Sequence, residues 1–251
     1  MKLWKHGTWT AAFCVLGVAI LSTARAQDDQ VKHMQMALAS PERPAEDKAR
    51  DATRKPIETI QFLGIKPGMK VMDVIAAGGW FTEVLSAAVG PTGKVYSQNP
   101  QFFVQRQGFA EAEQERSERL GNVMPVHGEI ADAGLNGQMD AAITALNLHD
   151  IYNGQGGEQA AVAFAKGVYD ALRPGGVFGV IDHAGSAGQD NAQFHRIQAQ
   201  QAKDVLMKAG FEIEADSDIL RNPADDHTKP VRDASVRGHT DQFLIRARKP
   251  S

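Results

Sequence analysis

Histidine stands beside aspartate at three places in the chain, and these groups are the residues best suited to chemistry. They are His149 with Asp150, Asp182 with His183, and Asp225 and Asp226 with His227. A carboxylate can orient a neighbouring imidazole, which then serves as a general base near neutral pH. Two or three imidazoles with a carboxylate can instead hold zinc, copper or iron. The residue types fit both roles, so the sequence leaves catalysis and metal binding open.

Two of these groups directly follow short apolar runs that are typical of buried strands. The first comes after the run at 141–146, and the second comes after the run at 177–181. The carboxyl ends of parallel strands meet at one edge of a sheet, where open α/β folds bind their ligands. We therefore expect these groups to converge at that edge. The expected catalytic residues are His149, Asp150, Asp182, His183 and His227.

The whole chain alternates strand-like and helix-like segments, which predicts a largely parallel sheet with helices on both faces. Predicted strands lie at 71–75, 94–97, 123–127, 141–146 and 177–181, with a closing antiparallel pair at 211–215 and 242–247. Predicted helices lie at 80–89, 111–119, 158–172 and 192–209, and 173–176 is expected to be a turn. His195 and Arg196 would lie on the last helix. The fold class is α/β, a Rossmann-like doubly wound sheet, mostly parallel with an antiparallel C-terminal strand.

A run of small residues follows the first predicted strand. Asp73 lies within that strand, and residues 76–79 lead into the helix predicted from Trp80. Small side chains let the backbone approach a ligand closely, and the N-terminus of a helix favours anionic groups. Upstream, Arg54 could also reach an anionic ligand, although a solvated helix face explains this residue equally well.

Several segments resemble class I S-adenosylmethionine (SAM)-dependent methyltransferases, namely KPGMKVMD (66–73) and LRPGGV (172–177). More closely, the chain resembles a group of exported predicted methyltransferases of unknown substrate. That resemblance lies in RKP (54–56), GGWFTE (78–83), NLHD (147–150), GVIDH (179–183) and RNPADDHT (221–228). It implies a sheet of the class I methyltransferase type, SAM as the cofactor and methyl transfer to a small-molecule acceptor.

The loop after the first strand departs from the pattern that this resemblance implies. The usual D-x-G-x-G-x-G loop begins here at Asp73, but Ile75 and Ala77 stand at two of its three glycine positions. Only Gly79 is retained. We expect Gly79 to let the backbone approach a nucleoside closely.

The acid that usually ends the second strand and binds the ribose hydroxyls is also missing. Gln98 and Asn99 stand there and could bind a ribose without a charge, at a cost of about 1–2 kcal/mol. Glu129, after the third strand, falls where the fold usually contacts adenine. The expected cofactor-binding residues are Asp73, Ala77, Gly78, Gly79, Trp80, Gln98, Asn99, Glu129 and Asn147.

The first 26 residues have the features of a cleavable signal peptide. A basic start precedes an uncharged apolar run at 11–21, and Ala24-Arg25-Ala26 offers a cleavage site before Gln27. An uncleaved anchor is the alternative, but the run is shorter than the roughly 20 residues that span a bilayer. We therefore expect a periplasmic or secreted protein with three parts: a signal peptide (1–26), an N-terminal helical extension (27–55) and a methyltransferase-like α/β domain (56–251).

Composition narrows the possible partners. The one cysteine, Cys14, lies in the expected signal peptide, so the exported chain would have no disulfide, thiolate nucleophile or cysteine-bound metal. The formal net charge is −3. All charged residues of the expected signal peptide are basic, so the exported chain would be more acidic still, and nucleic acid is not an expected partner. We expect a small-molecule substrate and no membrane association after cleavage. The oligomeric state is left open.

Two functions therefore compete. The leading hypothesis is a SAM-dependent methyltransferase that acts on a small-molecule acceptor outside the cytoplasm, with no metal ligands assigned. The alternative is a methyltransferase-fold protein that has lost SAM chemistry and binds a metal or another small ligand, since fold alone does not determine function.

Overall fold

The computed structural model describes the backbone of residues 12–251 and the side chains of residues 25–251. Within this part of the chain, the strands are β1 (Lys70–Val74), β2 (Lys94–Asn99), β3 (Val123–His127), β4 (Met139–Ala145), β5 (Leu172–His183), β6 (Glu212–Ser217) and β7 (Gln242–Arg248). They form one sheet of order β3-β2-β1-β4-β5-β7-β6. Strands β1 to β5 pair in parallel, and β7 is antiparallel to both β5 and β6. The predicted fold class is confirmed.

Helices connect the strands and cover the sheet. They are α1 (Ala12–Leu38), α2 (Ala45–Ala49), α3 (Asp51–Arg54), α4 (Pro56–Leu63), α5 (Trp80–Val89), α6 (Gln101–Val104), α7 (Phe109–Leu120), α8 (Leu148–Asn153), α9 (Gly157–Ala171) and α10 (Ala199–Lys208). A short 3-10 helix covers Ile130–Asp132. Among the described residues, no helix is long and apolar enough to cross a membrane.

Side chains of the central strands alternate between two cores, as the two-residue period of a strand requires. Val71 of β1 packs with α1, α4 and α5, whereas the next residue, Met72, packs with α9 and α10. Ala142 and Ile143 of β4 divide in the same way. Helices therefore cover both faces, which is typical of a parallel sheet.

The helix predicted at 192–209 begins only at Ala199. His195 has a φ of 54°, a left-handed conformation that the interior of an α-helix does not contain. Ile197 instead forms a parallel bridge with Ala184, at the end of β5. His195 and Arg196 therefore lie in a loop that packs along the sheet edge, and the prediction that they are helical was wrong.

The segment predicted as a turn at 173–176 lies within β5. Gly175 has a φ of 75°, and the pairing of β4 with β5 shifts register between Met139 and Ala141. Glycine accommodates such an irregularity without ending the strand. The turn-like composition therefore marks an irregular start of β5.

Helix α1 continues through the expected cleavage point before Gln27 and packs on the domain with its C-terminal part. Met34 and Leu38 are buried in the core that also contains α4 and α5. The Gln30 side-chain nitrogen donates hydrogen bonds of 2.9 Å to the carbonyls of Ile65 and Ala88. The part of the extension nearest the expected cleavage point is thus integral to the core. Residues 1–11 of the expected signal peptide lie outside the described residues.

Candidate functional site

Two adjoining cavities open at the carboxyl edge of the sheet, where β1 and β4 lie side by side and the strand order reverses. The larger has a volume of about 670 Å³, and the smaller has a volume of about 220 Å³. Ile75, after β1, and Asn147, after β4, line both cavities. Open α/β sheets bind ligands at this position, and small-molecule sites commonly have volumes of roughly 300–1,000 Å³.

The loop after β1 keeps backbone conformations that glycine favours, although two of its positions carry side chains. The φ angle is 55° at Ile75, 48° at Ala77 and 75° at Gly79. A left-handed backbone costs a non-glycine residue roughly 1–2 kcal/mol, and it is rare for a β-branched residue. Strain of this kind is typical of functional sites.

The side chains of Gln98 and Asn99 hold this loop in place. Gln98 Oε1 accepts a hydrogen bond from the Ile75 backbone N–H at 3.0 Å, and its Nε2 donates to a carbonyl after β3 at 2.7 Å. Asn99 Oδ1 accepts from the Ala77 N–H, and its Nδ2 donates to a glutamate of α7, both at 2.8 Å. The amides are buried and already engaged, so they support the loop rather than offering the expected ribose contact.

The two glycines of this loop have different surroundings. A Cβ atom at Gly79 would lie 2.6 Å from the guanidinium carbon of Arg116, so this glycine makes room for a side chain of the protein. A Cβ atom at Gly78 would meet no atom within 4 Å, and Gly78 lines the smaller cavity. Both glycines line the smaller cavity, and Gly78 has open space where a side chain would be.

The larger cavity combines aromatic and apolar walls with an exposed acid. Phe102 and Phe103 have ring centroids 4.5 Å apart, and the Arg106 guanidinium lies 4.2 Å from the Phe103 centroid. Phe164 of α9 and the exposed Glu129 also line this cavity. Glu129 was predicted from the sequence as a cofactor-binding residue, whereas the phenylalanines were not. Two adjacent aromatic residues shortly after the end of a predicted strand could have indicated this wall, because a solvent-exposed turn does not require aromatic side chains.

Two arginines, Arg50 and Arg54, and the acid Asp73 line the smaller cavity. Among the residues with described side chains, Arg54 has no hydrogen-bonded or ion-paired partner for its guanidinium. Burial, followed by the neighbouring Arg50, lowers the pKa of Arg54 to about 10. Burial raises the pKa of Asp73 to about 6, although Thr82 Oγ1 donates a hydrogen bond to it at 2.6 Å. Arg54 is thus a positive charge that an anion in this cavity can reach.

Trp80 links the N-terminal extension to this cavity. It is buried, and its Nε1 donates a hydrogen bond to the Asp47 carbonyl at 3.0 Å. The guanidinium groups of Arg54 and Arg43 lie 4.9 and 5.8 Å from the centre of its ring. The structure therefore places Trp80 in the cavity wall, where it supports Arg54.

His149 lies at the centre of a histidine–aspartate cluster. Its Nδ1 is 2.6 Å from Asp182 Oδ1, and its backbone N–H donates to Asp182 Oδ2 at 2.9 Å. Its Nε2 is 3.3 Å from Asp150 Oδ1, which lies 2.8 Å from Nδ1 of His195. The ring centroids of His149 and His183 are 5.5 Å apart. Four of the expected catalytic residues therefore converge, and His195 joins them.

The charges in this cluster differ from those of isolated side chains. Burial alone would lower the pKa of His149, but hydrogen bonds with Asp150 and Asp182 outweigh it and raise the pKa to about 9. The hydrogen bond with His149 holds the pKa of Asp150 below its usual range. Burial lowers the pKa of His183 to about 4. These contacts favour the protonated form of His149, so it is not the free general base that the sequence suggested.

His227 belongs to a separate network of charged groups. Its Nε2 is 2.9 Å from Asp241 Oδ2, and its Nδ1 is 2.7 Å from a serine hydroxyl. In the same network Arg196, which is fully buried, donates hydrogen bonds of 2.9 and 3.0 Å to Asp225. Both ring nitrogens of His227 are engaged there, and no described hydrogen bond joins it to the clustered residues. His227, which the sequence placed among the catalytic candidates, therefore lies in a second network beside the pair of groups that was expected to converge.

Comparison with known proteins identifies the fold. No family model matches the chain. The sequence is 36% identical over 90 residues to the tRNA (adenine(58)-N(1))-methyltransferase catalytic subunit of Yarrowia lipolytica. The aligned segment covers 36% of this chain and 22% of that protein. A SAM-dependent methyltransferase from Aquifex aeolicus aligns with a TM-score of 0.56 at 17% identity, over 79% of this chain and 97% of that one. Aeropyrum pernix fibrillarin, solved with natively bound S-adenosyl-L-methionine, aligns with a TM-score of 0.52 at 17% identity, over 79% and 76%.

The chain therefore has the fold of the class I SAM-dependent methyltransferases. Its match to the curated relative spans only about a fifth of that protein's length. The structural likenesses, at low sequence identity, establish the fold and not the reaction. Membership in the exported group of methyltransferases stays a prediction.

Proposed function

We propose that this protein is a SAM-dependent methyltransferase that acts on a small-molecule acceptor outside the cytoplasm. The observation that carries the proposal is the Arg54 guanidinium, which lies against the Trp80 ring but has no hydrogen-bonded or ion-paired partner among the described side chains. It faces a small cavity that adjoins a larger apolar one where the strand order reverses. A ligand with a nucleoside at one end and an amino acid at the other matches this pair of cavities. The fold shared with solved SAM-dependent methyltransferases supports the same conclusion.

The larger cavity suits the nucleoside. Phe102 and Phe103 offer aromatic faces, and Ile130 and Phe164 add apolar surface. The exposed carboxylate of Glu129 can accept a hydrogen bond from an exocyclic amine. Apolar walls with a few polar groups are typical of sites that bind such ligands.

The smaller cavity suits a charged amino-acid group. Arg54 offers a planar set of N–H donors that matches a carboxylate, and an ion pair there would offset the cost of its burial. Gly78 leaves the backbone accessible to a ligand. The Asn147 amide nitrogen donates to Thr144 Oγ1 at 3.1 Å and to the Ala145 carbonyl at 3.0 Å, which fixes this side chain at the junction of the cavities.

SAM, when bound, supplies an electrophilic methyl group on its sulfonium. The contribution of this chain is to position the reactants, which is the main requirement of such a transfer. A ligand held in both cavities passes the junction formed by Ile75 and Asn147. Asp150 lines the larger cavity with a side chain that is 60% exposed. It is the member of the histidine cluster that an acceptor in this cavity can contact.

The surface charge and the N-terminal segment support the remaining parts of the proposal. The formal net charge of −3 gives the chain no overall positive charge that would attract a polyanion, which favours a small acceptor over a nucleic acid. The expected signal peptide (1–26) favours export to the periplasm or beyond.

The proposal is tested by calorimetric titration with S-adenosylhomocysteine and with methylthioadenosine, which lacks the amino-acid group. The wild type should bind S-adenosylhomocysteine at least tenfold more tightly. Arg54→Met should weaken S-adenosylhomocysteine about 10–100-fold, as expected for a charge-assisted hydrogen bond, and should leave methylthioadenosine unchanged.

Arg232→Met is the matched control, because it removes one exposed guanidinium elsewhere and should change neither affinity. A wild type that does not distinguish the two ligands would contradict the role of Arg54. A folded protein that binds neither would favour the alternative, in which the fold serves another ligand.

A further inference from the structure

Three potential ligand atoms meet beside the larger cavity. His149, Asp150 and His195 each offer one nitrogen or oxygen atom, and these atoms lie within 4.8 Å of one another. The 3.3 Å between His149 Nε2 and Asp150 Oδ1 is close to the separation of two ligands on a tetrahedral ion with bonds of about 2.0–2.1 Å. Asp150 Oδ1 and His195 Nδ1 are 2.8 Å apart. To bind the same ion, these two atoms would have to move apart by only about a further half ångström.

Asp182 fixes the ring of His149 from the side away from these atoms. Its carboxylate is fully buried, and it accepts hydrogen bonds from the backbone N–H groups of His149 at 2.9 Å and His183 at 2.7 Å. The contact of 2.6 Å with His149 Nδ1 leaves Nε2 directed to Asp150. A metal ion bound at Nε2 would displace the proton that this nitrogen otherwise shares with Asp150. A carboxylate that orients a histidine ligand through its second nitrogen is a usual feature of protein metal sites.

His195 is held beside Asp150 at a cost to its backbone. Its φ is 54°, and its side chain is 33% exposed. The next residue, Arg196, is fully buried and anchored to Asp225, which fixes the loop. A strained backbone conformation of this kind persists where the surrounding contacts enforce it, and such residues concentrate at functional sites.

We propose that His149, Asp150 and His195 bind one divalent transition-metal ion of the zinc class. Two imidazoles and a carboxylate form a ligand set that zinc takes when one coordination position stays open, whereas calcium and magnesium prefer oxygen ligands. Because Asp150 also lines the larger cavity, the proposed ion lies beside that cavity. The site is built from this chain's own side chains and does not depend on SAM binding.

The test uses the full chain without a histidine tag, stripped with a chelator and dialysed. Zinc is titrated against a chromophoric competitor for the wild type, His195→Ala and Asp150→Asn. The control is His239→Ala, which removes an exposed histidine outside the cluster. We expect one zinc per chain, an affinity at least 100-fold weaker in the two cluster variants, and a change within twofold in the control. Circular dichroism verifies the fold of each variant.

Cobalt(II) gives a second readout, because a tetrahedral site with nitrogen and oxygen ligands produces visible absorption that His195→Ala should abolish. Zinc affinity that is equal in the wild type and His195→Ala would overturn the proposal and leave the cluster as a hydrogen-bonded ion-pair network. S-adenosylhomocysteine affinity is measured separately and should stay within threefold in His195→Ala. Failure of the metal site can thus be distinguished from failure of the proposed function.

Discussion

Single residues at the sheet edge carry backbone strain that neighbouring contacts maintain. Ile75, Ala77 and Leu146 have positive φ angles at the margin of the smaller cavity, and His195 has one in the histidine cluster. At Ala77 the N–H donates to the Asn99 side chain, which holds the loop in this conformation. The loop therefore keeps this conformation without glycine at positions 75 and 77, because the side-chain amides of Gln98 and Asn99 hold its backbone.

Replacing Ala77 with glycine should stabilise the protein by about 0.5–1 kcal/mol, because glycine adopts a φ of 48° without the Cβ penalty. The matched control is Ala76→Gly, whose backbone does not have a positive φ and which should destabilise by a similar amount. Urea denaturation measures both. A loss of stability in Ala77→Gly equal to that in the control would contradict strain at this position.

The buried Asp73 should make a pH-dependent contribution to stability. Burial raises its pKa from 3.8 to about 6, so the native state keeps the proton to a higher pH than the unfolded chain does. Its contribution to stability therefore falls as the pH rises from about 4 to about 6 and stays lower above that range. Asp73→Asn does not titrate, and it can still accept the hydrogen bond from Thr82.

The free energy of unfolding of Asp73→Asn relative to the wild type should therefore rise by about 2–3 kcal/mol between pH 4 and pH 7, at about 1.4 kcal/mol per pKa unit. Denaturant titrations of both proteins at the two pH values measure this difference. A difference that stays constant with pH would show that Asp73 is ionised without penalty in the native state.

Residue types at strand ends predicted much of the candidate site. His149, Asp150, Asp182 and His183 converge because the ends of parallel strands share one sheet edge. The hydrogen bonds of the Gln98 amide, the contact of His227 with Asp241 and the contact of His149 with Asp182 join segments that are distant in the sequence. Sequence position does not reveal such contacts, because they depend on which side chains the folded backbone brings within hydrogen-bonding distance.

At the scale of elements, the N-terminal extension is the part of the chain that the sequence described least well. Its polar composition predicted helix but not burial. The structure shows α1 packed on the core through a few apolar side chains and the hydrogen bonds of Gln30. This packing covers α5, all of whose residues are buried and which follows the loop at the smaller cavity.

Met34→Ala should therefore destabilise the protein by about 2–4 kcal/mol, because Met34 is 1% exposed and its truncation leaves a cavity between α1 and the domain. Met36→Ala on the same helix is the matched control, since Met36 is 69% exposed and its loss should change stability by less than about 0.5 kcal/mol. Thermal and urea denaturation measure both variants. Similar small effects would show that α1 does not pack on the domain in solution.

Strands and helices with strong local patterns were predicted to within a few residues, and β3 and α5 agree at both ends. The predicted start of α10 is seven residues too early, because the composition of the preceding segment also suits a helix. There, the burial of Arg196 and the bridge formed by Ile197 override local helix propensity. The start of β5 was missed because glycine and proline favour turns unless sheet pairing holds them.

For the whole molecule, the alternation of strands and helices was sufficient to predict the class of fold. The order of the strands places the reversal between β1 and β4, and the two cavities lie there. The division into a large apolar cavity and a small charged one could not be predicted, because residues from α3, α6 and α9 form their walls together with the strand ends.

The central claim is that these cavities bind the nucleoside and amino-acid parts of SAM. Its most direct test is the thermal melting of the purified protein with and without millimolar S-adenosylhomocysteine. At 100 times the dissociation constant the ligand adds about 2.7 kcal/mol, which should raise the melting temperature by roughly 5–10 °C in a domain of this size. Gly78→Val, which adds a branched side chain to the lining of the smaller cavity, should abolish the rise, and Gly78→Ala should largely keep it. No shift in a cooperatively folded wild type, or an equal shift in Gly78→Val, would contradict the account.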